Sequence, residues 1–257
     1  MKKLTMVTAL LAAMSFSATA NAYEAEVTGS FNITDIDIAG ADDIEGYGLK
    51  GKIFLSDVMT GNGPLAEAAF LDRSTNIYLG YNRAEAGDIK SDSISGGVEY
   101  FSQSGLYVNA NIGRTTLKVL DTDLDTTTYS AELGYIPVDG LLLAIGAVGA
   151  NNDESDSIDP TLRVKYVAPI GSGDIGIEAF AGLGDIDTQS LAVDYYFDKS
   201  FSAGVDILNN NAVETKSYGF NAKKFFGEQF NLGARIGFGE ISGIDTVTYG
   251  ATAQYRW

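Results

Sequence analysis

From Tyr23 onward the side chains alternate in character almost without a break. In the stretch YEAEVTGSFNIT, the odd positions hold Tyr23, Ala25, Val27, Gly29, Phe31 and Ile33. The even positions hold Glu24, Glu26, Thr28, Ser30, Asn32 and Thr34. A helix mixes two such sets around its circumference, whereas a strand separates them onto opposite faces. The same period recurs in fourteen segments: 23–35, 45–57, 73–83, 93–102, 106–115, 127–136, 141–150, 160–169, 175–183, 189–197, 201–208, 217–225, 230–240 and 246–257. Each is about ten residues long, the length of a tilted strand crossing hydrocarbon. The apolar set repeats as Ile77, Leu79 and Tyr81, as Leu191, Val193, Tyr195 and Phe197, and as Tyr249, Ala251, Ala253, Tyr255 and Trp257.

The connections differ at the two ends of these segments. Short turns such as SQSG at 102–105, PVDG at 137–140 and GEQ at 227–229 alternate with acidic stretches such as DTDLD at 121–125 and NNDESDSID at 151–159. Aromatic residues gather beside the short turns, among them Tyr100, Tyr107, Tyr135, Phe201, Phe225, Phe226, Phe230, Tyr255 and Trp257. A soluble β-sandwich also alternates, but it covers its apolar face with a second sheet and has no use for an aromatic ring at one end. Lipid covers such a face directly, and amphipathic rings sit at its boundary. The expected fold is all-β: a transmembrane antiparallel up-and-down barrel of about fourteen strands, with 12 or 16 as the neighbouring even counts. An even count puts both termini on the periplasmic side.

Lys2 and Lys3 precede an apolar run from Leu4 to Met14, and Ala20-Asn21-Ala22 is a small-x-small cleavage site. This predicts a secretory signal peptide at 1–22 and a single barrel domain at 23–257, since the run is too short to span a bilayer. The chain has no cysteine and no histidine, which removes disulfides, His-metal sites and the commonest general base. A formal net charge of −17 argues against a nucleic-acid partner. No catalytic residue, cofactor or metal is expected.

Strand parity assigns each charge to a face. The inward set contains the acids Glu24, Glu26, Glu99, Glu132, Glu178, Asp194 and Asp206. It contains the bases Lys50, Lys52, Arg163, Lys165, Lys223, Arg235 and Arg256. So many charges are ruinous in a dry core and cheap against water, so the interior is expected to be a wet, pore-lined channel. Acids such as Asp35, Asp37, Asp42, Asp43, Asp153 and Glu154 gather at the outer end. They form either a cation-concentrating vestibule or an ordinary solvated face. Asp121, Asp123, Asp125 and Glu132 match part of a calcium loop, but Thr126 stands where that loop needs glycine. Arg83 and Arg114 fall at the outer rim, within snorkelling reach of lipid phosphates.

One segment interrupts the pattern. VMTGNGPLAEAAFLD, at 58–72, lies where a short turn is due, and Gly63-Pro64 resembles a helix start with Glu67 in its first turn. It is either a longer turn at the barrel mouth or a small plug. As a plug, Pro64, Leu65, Glu67 and Phe70 would form a constriction packed on the inward side of 141–150, at Leu142, Ala144, Gly146 and Val148.

The leader, GPLAEAAFL at 63–71 and the terminal QYRW together resemble the general porins of Gram-negative bacteria. The resemblance implies an outer-membrane channel for ions and small hydrophilic solutes, in contact with outer-membrane lipids and lipopolysaccharide. It also implies that Tyr255 and Trp257 serve as the assembly signal for the barrel-assembly machinery. Two rivals remain at the level of sequence. An outer-membrane enzyme is disfavoured by the missing histidine. A structural or adhesive barrel with a blocked lumen is compatible with the same residues, as is either a monomer or a homo-oligomer.

Overall fold

The computed structural model describes residues 22–61, 63–120, 122–151 and 156–257. The expected leader up to residue 21, and the acidic residues Asp121, Asp153 and Glu154, lie outside the described residues. All fourteen expected segments are strands. They are β1 Ala22–Ile36, β2 Ile44–Met59, β3 Asn76–Ala86, β4 Ile89–Phe101, β5 Leu106–Val119, β6 Thr122–Val138 and β7 Leu141–Asn151. The remainder are β8 Asp156–Ile170, β9 Gly173–Gly182, β10 Thr188–Asp198, β11 Phe201–Asn210, β12 Thr215–Phe226, β13 Phe230–Ile241 and β14 Ile244–Arg256. Each pairs antiparallel with its neighbours in sequence, and β1 pairs with β14 to close the barrel. The seam runs from Glu26↔Arg256 to Ile36↔Thr246. Closure leaves no open sheet edge, which a hydrocarbon surround demands.

The outer face is apolar and open. Ile53, Leu55, Leu79, Ile112 and Ile145 each expose more than half of their surface, the mark of side chains covered by lipid rather than protein. At the short-turn end rings pair on the outer face: Phe197 stacks on Phe201, and Tyr255 stacks on Trp257. Among the described residues no helix is long and apolar enough to cross a membrane; the crossing is made by strands.

Two expectations are corrected in detail. The described parts of the two acidic outer stretches, 122–125 and 156–159, are strand rather than loop. β6 already begins at Thr122 and β8 at Asp156, and β6 reaches 17 residues. Cross-strand pairs continue the ladder beyond the apolar belt: Arg114 meets Asp125 at 2.7 Å and Lys118 meets Asp123 at 3.8 Å. Asp123 and Asp125 of the calcium-loop match are therefore strand residues with basic partners, while its first position, Asp121, lies outside the described residues. Secondly, an irregularity between Tyr23 and Ala25 shifts the β1–β2 register. Tyr23 is buried against Phe54, Val58 and Ala68, and Glu24 is exposed instead of pointing inward. A bulge re-aims side chains in this way.

Between β2 and β3 the chain turns into the barrel mouth. Pro64, in extended conformation, leads into a 3-10 turn at Leu65–Glu67 and a single helical turn, α1, at Ala68–Leu71. Pro64, Leu65 and Ala68 are buried. Four-residue helices are not stable alone, so packing holds this one.

Candidate channel interior and plug

The inward side chains can be recognised by contacts that skip a strand. Two strands apart is roughly 10 Å, too far to bridge except across a concave face. Lys52 on β2 reaches Glu99 on β4 at 3.9 Å, as well as Glu26 on β1 at 3.7 Å. Arg163 on β8 reaches Glu132 on β6 at 3.3 Å and Tyr107 on β5 at 3.1 Å. Lys223 meets Asp194 at 3.8 Å, and Arg235 meets Asp206 at 3.0 Å, each pair stepping over one strand.

Near the plug these contacts join into a polar belt. The Tyr107 hydroxyl lies 3.2 Å from Glu99 and 3.4 Å from Glu132. Arg163 continues to Glu178 at 2.8 Å, and Lys165 meets Glu178 at 3.5 Å. Lys165 then meets Glu67 of the plug at 2.8 Å, and the Tyr196 hydroxyl donates to Glu67 at 2.8 Å. The belt thus passes from β1 to β10 through the plug itself. Each carboxylate carries a cationic or hydroxyl partner, which is what makes half-buried charge tolerable. Tyr107, fully buried at its centre, faces inward although the sequence places it among the boundary aromatics; its parity opposite to Leu106 is the signal that marks it.

The plug is seated on three sides. Phe70 packs against the cluster of Tyr107, Ile136, Leu142 and Ala144, with Phe101 beside it. Gly146 and Val148 lie outside that cluster. Lys165 Nζ stands 5.0 Å from the Phe70 ring centre. Ala68 joins Tyr23, Phe54 and Val58. The third contact is Arg256, buried between the rings of Tyr23 at 4.5 Å and Phe225 at 4.2 Å. Its Nη1 donates to the Leu65 carbonyl at 2.9 Å and its Nε to the Glu228 carbonyl at 2.8 Å. Backbone and side-chain bonds to the neighbouring turns complete the seat: Leu65 N donates to Lys199 O at 2.8 Å, and Arg73 meets Asp139 at 2.7 Å. Phe225 thus faces inward, although the sequence places it among the boundary aromatics.

Above the plug lie two hollows that share part of their lining. One, of about 170 Å3, is bounded by the plug residues Glu67 and Phe70 and by Glu99, Arg163 and Lys165. The other, of about 450 Å3, lies against β1–β4, and Glu26 and Lys52 border both. Lys50 faces the larger hollow, its ammonium 4.7 Å from the Tyr78 ring centre. Among the described residues no group of acids is arranged to hold a metal ion.

A closed, lipid-facing barrel with a charged interior and an inward-folded mouth segment defines the class: an outer-membrane barrel channel. The chain belongs to the family described as "putative general bacterial porin", whose model matches residues 1–176. No curated protein matches the sequence. Among solved structures, the Acinetobacter baumannii outer-membrane protein Omp33 shares the fold, with a TM-score of 0.72 at 22% identity. That match covers 92% of this chain and 99% of Omp33. KdgM porin, in complex with disordered oligogalacturonate, aligns at a TM-score of 0.47 and 9% identity over 90% of this chain and 99% of its own. The family and fold are those of channels rather than enzymes, and they place the protein in the outer membrane of a Gram-negative cell, in contact with lipid and solutes.

Proposed function

We propose that this porin is a passive diffusion channel for ions and small hydrophilic solutes, with a modest cation preference that fades as salt rises. The observation that carries the reading is the paired interior: among the described residues most inward acids and bases meet an opposite charge, so no single-sign ring there builds a strong selectivity barrier. The preference would come from the acids at the outer end, whose potential salt screens over about 10 Å at 0.1 M. In this reading Pro64, Leu65, Glu67 and Phe70 narrow the periplasmic mouth and both termini lie on that side. The leader is removed on export, and Tyr255 and Trp257 present the aromatic signal to the barrel-assembly machinery.

The test is planar-bilayer conductance of the purified barrel with reversal potentials in a salt gradient. Cation preference at low salt supports the proposal; anion preference would sink it. One observation favours the rival barrel with a blocked lumen. The plug touches β1, β5–β8, β10 and β14, most of the way round the mouth. Absence of any conductance in wild type, restored by cutting the plug, would favour that second reading.

A further inference from the structure

We propose that the β1–β4 wall carries a subsite for a small hydroxylated carboxylate, with Lys50 as its counter-ion. Delivery of the solute rests on the channel reading above; the binding itself does not.

The inner bases are not equivalent. Lys52, Arg163, Lys165, Lys223 and Arg235 each have a carboxylate within 4 Å. Arg256 is sealed between two rings and two carbonyls. Lys50 alone among the described inward bases is exposed to the lumen with only a ring for company. Its nearest acids are already engaged, since Glu26 and Glu99 are both drawn to Lys52. A ring face stabilises an ammonium by about 0.5–2 kcal/mol and leaves its N–H donors free, so a carboxylate can add to it rather than displace it.

The wall around Lys50 is shaped by small residues. Pairing sets Thr28, Lys50, Gly80 and Ser95 in one row across four strands. The next row outward is Ser30, Gly48 and Asn82. Two inward glycines in adjacent rows leave the floor without side chains, and hydroxyls and an amide ring it. At Gly48 a Cβ would stand 2.3 Å from Ser30 Oγ and 2.8 Å from Asn82 Oδ1, so the glycine is what keeps those groups converging. The recess therefore offers one cation, several hydroxyl-type partners and the face of Tyr78. One unpaired charge beside two carboxylates suits a single negative charge better than a phosphate dianion. The hydroxyls and amide suit a polyhydroxylated body.

The experiment uses the full barrel in detergent micelles, its lysines carrying 13C-methyl groups that retain the charge, with Lys50→Arg assigning the Lys50 resonance. Gluconate and sorbitol form a matched pair, the second lacking the carboxylate. Gluconate is expected to shift the Lys50 signal saturably in the millimolar range while Lys216 stays still, and sorbitol is expected not to shift it. An unmoved Lys50, or equal shifts with both solutes, overturns the subsite. In proteoliposomes, gluconate influx through wild type should saturate. Lys50→Met should make it linear while leaving sorbitol influx within about a factor of two, as expected when a binding step is lost and the path is kept. Equal changes for both solutes would also overturn it. A barrel that passes neither solute yet shifts Lys50 keeps the subsite and defeats the channel reading.

Discussion

The two ends of the lumen are built by the same alternation to opposite effect. At the plug end the inward positions beside the charged belt include large apolar side chains: Phe54, Ile136, Leu142 and Phe225 are all buried. Towards the outer end, on β1–β4, the inward positions are Thr28, Ser30, Gly48, Gly80, Asn82 and Ser95. A strand's inner face is thus not uniformly a pore lining. Where it is apolar, something from the same chain covers it. Where it is small and hydroxylated, water or solute does. The difference teaches that the footprint of the plug is written into strands far from it in sequence.

The strongest way to break this comparison is to remove the cover. Replacing Pro64–Leu71 by a short flexible link should raise single-channel conductance several-fold and expose the apolar inner patch to probes such as hydrophobic dyes. Unchanged conductance would mean the segment does not narrow the path. Next in size, Phe70→Ala should lower stability by about 2–3 kcal/mol, since a cavity opens against Leu142 and Ala144. The denaturant midpoint of the refolded barrel measures it, and a loss much below that range would mean the ring is not truly seated.

A smaller effect is expected from Glu67→Gln. It removes the charge that faces Lys165 while keeping the shape, and Glu178 still holds Lys165, so about 1–2 kcal/mol should be lost, below the cost of breaking an isolated buried pair. Current noise should rise as the plug loosens; a quiet channel would show that Phe70 and Arg256 suffice. The control away from the plug is Lys223→Gln, whose 3.8 Å contact with Asp194 leaves the lysine side chain 41% exposed. It should change stability by no more than about 0.5 kcal/mol. Smallest of all, replacing Asp42 and Asp43 by asparagine should reduce the low-salt cation preference by a few millivolts of reversal potential, in line with a screened surface effect.

Much of the barrel can be read directly from residues. Segments such as 108–113 and 230–238 keep apolar and polar sets apart over their whole length, as only a strand does. What escaped has physical causes. At 122–126 Leu124 is the sole apolar residue, so the period vanishes from view although the ladder continues through Arg114–Asp125. At Tyr23 a bulge inverts parity, and bulges depend on the partner strand rather than on local sequence. The plug is visible as a break in rhythm, and its contact with Leu142 and Ala144 follows from their inward parity. Its contacts with Tyr196 and Arg256 join residues more than a hundred positions apart, which no local pattern encodes.

The buried guanidinium of Arg256 ties these parts together in time as well as space. Its two rings come from β1 and β12, its carbonyl partners from the plug and the β12–β13 turn, and its own backbone from β14. None of the strands alone makes the slot, and an open sheet, with β1 and β14 apart, has no such slot at all. The final docking of the plug therefore reports that the cylinder has been sewn shut: a lock whose keyhole is formed by the last stitch.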